Sequence, residues 1–90
     1  MTVALMWEAA AAAGRGAELL EWARRQELAA RPLRRETFRA PGDRVLVITW
    51  WDAPEDAAEL PELPELPEPA DDLVRRAVHR WRFTSESVEE

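Results

Sequence analysis

Ninety residues without a cysteine allow one domain with one modest core, and exclude both a disulfide framework and a thiolate metal site. The net charge is −6, from eighteen acids against twelve basic residues that are all arginine. Nine of the acids lie in residues 52–72, which hold no base; the other nine face the twelve arginines, which are scattered along the chain, so no nucleic-acid partner is expected.

No apolar run approaches the roughly 20 residues needed to span a bilayer, so no membrane partner is expected. Met1 to Trp7 is apolar but short, with no basic residue before it, and does not read as a signal peptide. A cytoplasmic location is the resulting expectation. A chain of this size buries only roughly 60–65% of its unfolded surface, and oligomerisation is the remaining common support for so thin a margin.

In residues 2–8, Val3, Leu5 and Trp7 alternate with Ala4 and Met6, as in a strand buried on both faces. The following alanines favour helix, and Gly14 and Gly16 argue for a turn. Leu19, Leu20, Ala23 and Leu28 set an apolar stripe that predicts a helix over 15–30, ended by Pro32. A charged strand over 33–39, a turn at 40–43 and a strongly apolar strand over 44–51 form a hairpin. In that last strand Val45, Val47, Thr49 and Trp51 face one way, and Leu46, Ile48 and Trp50 the other.

Residues 59–69 read ELPELPELPEP within an acidic, proline-rich connector over 53–69. Proline at every third position forbids helix and sheet interior, and a three-residue turn would line Leu60, Leu63 and Leu66 on one edge. A stiff connector with that edge laid on the body is the reading we prefer to a partner-docking motif. A short helix over 70–77 and a strand over 78–84 follow, with His79, Trp81 and Phe83 on one face and Arg80 and Arg82 on the other. Residues 85–90 form an acidic tail expected to fray.

The resulting order is βαββαβ within one domain, 1–90. It predicts an α+β, ferredoxin-like fold: a four-stranded antiparallel sheet in the order 4-1-3-2, with two helices on one face. The first and third strands, apolar on both faces, are central; the arginine-bearing second and fourth are edges. The second sheet face is then expected to carry large apolar groups drawn from Trp7, Trp50, Trp51 and Trp81, and a homodimer covers it most simply.

Candidate chemistry is sparse. His79 is the one histidine and would serve as a general base or an axial haem ligand. Arg35 or Arg80 would stabilise a developing phenolate or enolate beside an aromatic pocket built from Trp7, Trp50 and Trp81. Glu8 and Glu36 would act as bases if burial raised their carboxyl pKa. For each, a packing or surface role is the more ordinary alternative. Phosphate loops, nucleophile elbows and paired metal motifs are missing, so neither cofactor nor metal is expected.

The opening VALMWEA, the Gly-Arg turn into a helix with ELLEW, the strand RVLVITWWD and the final HRWRF resemble small dimeric α/β-barrel proteins related to antibiotic biosynthesis monooxygenases. The resemblance spans nearly the whole chain and consists of pattern and element order. It implies two ferredoxin-like sheets paired into a dimeric α/β barrel with a pocket between sheet and helices. It also implies cofactor-free monooxygenase-like or cyclase-like chemistry on an aromatic metabolite. The haem-degrading branch relies on an asparagine, and this chain has none; tyrosine-dependent branches are excluded in the same way. A non-catalytic dimeric domain that binds a small ligand or a protein partner is the alternative. A pocket filled by its own side chains would favour it.

Overall fold

The computed structural model describes residues 1–54 and 62–89. Five elements follow in chain order: β1 (Thr2–Ala10), α1 (Gly16–Arg25), β2 (Arg34–Ala40), β3 (Arg44–Asp52) and β4 (His79–Thr84). The strands form one antiparallel sheet in the order β2-β3-β1-β4, the expected order seen from its other edge. β1 and β3 are central, and each alternates buried with half-buried positions along most of its length. The charged strands β2 and β4 are the edges.

One sheet face carries Val3, Leu5, Trp7 and Ala9 of β1 opposite Trp51, Thr49, Val47 and Val45 of β3. Leu19 and Ala23 of α1 pack onto this face, completing the core around Trp7, Val45 and Val47. The helix starts where the β2–β3 turn meets it. Gly42 (φ 81°) and Asp43 (φ 56°) both occupy the left-handed region, which brings the Asp43 carboxylate to the N-terminus of α1. Gly14 N–H donates to Asp43 Oδ2 at 3.2 Å, and a Cβ on Gly16 would lie 2.5 Å from Oδ1, so the approach requires glycine there.

Three expectations are corrected. β1 runs two residues further, because the alanines are extended: Ala9, Ala10 and Ala11 are wholly buried where the β2–β3 turn and residues 73–75 converge. Ala11 N–H donates to Asp43 O, Ala12 N–H to Leu73 O, and Arg75 N–H to Ala10 O. The three methyl groups are buried there, and these tertiary backbone bonds override alanine's helix propensity. The helix ends at Arg25 rather than near Ala30. Gln26 is already extended, so Pro32 plays no part in stopping it.

Residues 70–77 form turns and a bridge rather than the expected second helix. An eight-residue helix is too short to sustain itself. Its backbone groups instead serve the β1 extension, through the Ala11–Val74 bridge and the bonds just described.

In place of a second helix, a strap of residues 62–69 with no regular secondary structure packs on the core beside β1. The three-residue period is visible in its burial. Leu63 is half-buried and Leu66 and Pro69 are buried, whereas Glu62, Glu65 and Glu68 are exposed. Leu66 joins the Trp7 cluster, and Leu63 packs with Val3, Leu5, Trp51 and Ala53. Leu60 and the start of the repeat lie outside the described residues, as does Glu90 of the tail.

Arg15 ties the helix start to the end of this region, donating to Asp72 O at 2.7 Å while bonding Glu18 through two nitrogens. Those bonds hold the Glu18 carboxyl below the usual glutamate range. Their small contribution to stability is therefore present at neutral pH and disappears as pH falls through the depressed folded-state pKa. In an NMR titration, Glu18 should titrate below 4.5 and return toward it in Arg15→Gln. Leu66→Ala should lower the urea-derived unfolding free energy by about 2–4 kcal/mol, as for other buried leucines. A loss below about 0.5 kcal/mol would mean that the strap does not anchor the fold.

Candidate functional site

Strand register assigns every candidate residue to a face. The face away from α1 reads in three rows across β2, β3, β1 and β4: Arg34, Trp50, Ala4, Phe83; then Glu36, Ile48, Met6, Trp81; then Phe38, Leu46, Glu8, His79. Eight of these twelve side chains are apolar, and no described element covers them. Trp81 is 45% exposed and Phe83 50%, against 3% for Trp7 on the opposite face.

The three tryptophans expected to form one aromatic pocket are therefore not brought together. Trp7 lies under α1, stacked on Trp22 with centroids 5.9 Å apart, while Trp50 and Trp81 lie on the open face. Trp51 also faces α1, with its indole N–H bonded to the Thr49 hydroxyl at 2.8 Å. The Trp7 indole Nε1 is buried with no hydrogen-bond partner. The cavity between this part of the sheet and the strap, lined by Leu5, Met6, Trp7, Val47, Thr49, Glu65 and Leu66, measures about 10 Å³, room for about one water. Leu66 and the Trp7–Trp22 pair fill the space that a flat ligand would need.

The three residues proposed for catalysis do not converge either. Arg35 is on the α1 face of one edge strand, Arg80 on the α1 face of the other, and His79 on the open face. The two edges are three strand spacings apart, roughly 14 Å. Arg35 donates to Ala23 O and Gln26 O, both at 2.7 Å, and so caps the last turn of α1, where a cation is favoured. Arg80 donates to Leu66 O at 2.7 Å and reaches Glu68 at 3.5 Å, clamping the strap. Both guanidinium groups hold the fold together at these positions.

Around Glu8 the structure builds a constellation that sequence reasoning did not assemble. Both Glu8 oxygens accept from Arg76 Nη2, at 2.5 and 2.7 Å, while Arg44 lies 3.8 Å and His79 Nδ1 3.5 Å away. The Glu8 side chain is 13% exposed, and the His79 ring stands edge-on to Trp81 with centroids 5.3 Å apart. Both carboxylate oxygens are thus occupied by the Arg76 guanidinium. Glu8 neutralises arginines at one end of the open face. Glu36 is likewise paired, with Arg34, whose guanidinium sits 5.2 Å over the Trp50 ring. The pairing of Glu8 with Arg76, 68 residues later, left no local signal in the sequence.

Among the described residues, no group of three or more histidine or acidic side chains is arranged to hold a metal ion, and no helix is long and apolar enough to cross a membrane. Arg35→Ala should accelerate amide exchange in the last turn of α1 and cost about 1–2 kcal/mol, the scale of a charge-assisted helix-terminal contact. Unchanged exchange there would remove the capping assignment. No family model matches the sequence, and neither a curated protein nor a solved structure matches it.

Proposed function

We propose that this chain is a non-catalytic interaction domain of ferredoxin-like type that works as a homodimer, closing its open sheet face against a second copy to make an α/β barrel. The observation that carries this reading is the uncovered face itself. Eight apolar side chains stand together on it, with Trp81 and Phe83 about half exposed and no described element over them, and a contiguous apolar face of this kind marks an interaction surface.

The arrangement is self-complementary near its centre. A two-fold axis parallel to the strands, midway between β3 and β1, lays each β3 over the partner's β1. The bulky Trp50 then meets Ala4, and Ile48 meets Met6, an arrangement suited to aligned sheet packing. The third pair sets Leu46 against Glu8, whose charge Arg76 already offsets at the margin. Two further observations favour an interaction domain over the oxygenase-like or cyclase-like enzyme that the family resemblance implies. The cavity beside Trp7 is filled, and Arg35 and Arg80 are committed to backbone carbonyls.

Light scattering at micromolar concentration should give about twice the 10.3 kDa chain mass. Ile48→Glu should give a monomer that keeps its far-UV circular dichroism. A wild-type monomer would defeat the dimer proposal. Saturable tryptophan quenching by an anthrone-type phenol, abolished by Trp7→Leu in a folded protein, would instead favour the enzyme reading.

A further inference from the structure

On the α1 side, the two sheet edges are treated differently. Beside β4, the strap fills the available space: Leu66 enters the core, and Arg80 binds both its carbonyl and the Glu68 carboxylate. Beside β2, the corresponding shelf carries no such segment among the described residues. A groove of about 430 Å³ runs there between α1 and β2, lined by Leu20, Arg24, Arg35, Glu36, Thr37 and Arg39.

Arg35 is committed to capping α1, and Glu36 to Arg34. Arg24 and Arg39 are exposed, and neither has an ion pair among the described residues. Half-buried Leu20 and Thr37 complete the lining. Among the described residues β2 is also the terminal strand of the sheet, and none of their strands pairs with its outer edge. The groove thus combines two cations and an apolar contact beside that edge.

We propose that this groove binds an extended acidic peptide with a leucine anchor, held as the chain holds its own strap. The leucine would rest against Leu20 and Thr37 and the acids against Arg24 and Arg39, with the peptide backbone extended as that of the strap is. Two features favour a peptide over nucleic acid: no aromatic side chain lines the groove to stack on a base, and the chain as a whole carries −6. The site lies on the face opposite the proposed dimer contact, so occupancy of one does not block the other.

The test is fluorescence anisotropy on the full chain with a labelled peptide of three Glu-Leu-Pro repeats. Saturable binding is expected, weakened about fivefold to tenfold by the double variant Arg24→Gln, Arg39→Gln, the scale of losing two partly exposed charge contacts. A Gln-Leu-Pro peptide should lose a similar factor. The control pair Arg25→Gln, Arg31→Gln, which removes the same charge outside the groove, should change little. Three results would overturn the proposal: no saturable binding, equal weakening by the control pair, or tighter binding of a single-stranded oligonucleotide that the Arg24, Arg39 variant abolishes.

Discussion

The α1-facing side of the sheet is broader than the helix that packs on it, and the rest of the structure answers that mismatch. Ten residues of helix make a cylinder roughly 15 Å long and 10 Å wide, while four strands span roughly 14 Å between outer axes and carry bulky side chains beyond that. Placed over β3 and Trp7, α1 leaves the flank of β1 toward β4 open. Leu63, Leu66, Pro69 and Leu73 close it. Proline preorganises such a cover, because its fixed φ leaves less chain entropy to lose on docking than a flexible loop of equal length. Among the described residues the three-residue period then turns Leu63 and Leu66 inward and Glu62, Glu65 and Glu68 outward.

An irregular cover has its own difficulty. Backbone carbonyls outside helices and ladders still need donors. The arginines meet this need repeatedly: Arg15 on Asp72 O, Arg35 on Ala23 O and Gln26 O, Arg44 on Pro41 O, and Arg80 on Leu66 O. A guanidinium offers five donors in a rigid fork, so one side chain can serve a carbonyl and a carboxylate together, as Arg15 does with Asp72 and Glu18. Six of the twelve arginines donate to a backbone carbonyl in this way.

The two sheet faces divide the molecule. One is packed around Trp7 to the point where the cavity beside that ring holds about one water, and Trp7 and Trp51 are core. The other presents Trp50, Trp81, Phe83, Met6 and Ile48 to its surroundings, bordered by the Arg34–Glu36 and Arg76–Glu8 pairs. Charge at the margins and apolar groups at the centre is the usual anatomy of an interface. Chemistry would call for the reverse, a recessed polar group in an open cleft.

Alternation within each strand was legible from the residues alone. Val45, Val47, Thr49 and Trp51 share a face because side chains alternate along a strand, and Leu63 and Leu66 share an edge because proline recurs every third residue. The strand order was legible too, since β1 and β3 are apolar on both faces and the edges carry the arginines. Three features were decided only by tertiary contact. Residues 70–77 gave up a marginal helix to pair with β1, and the alanines became strand because three backbones meet over them. Most consequential is the pairing of Trp7 with Val47, which sets Trp7 on the opposite face from Trp50. A strand's own sequence determines which of its residues share a face. Which face that becomes in the sheet depends on the register against a neighbour, and a slip of one residue would reverse it.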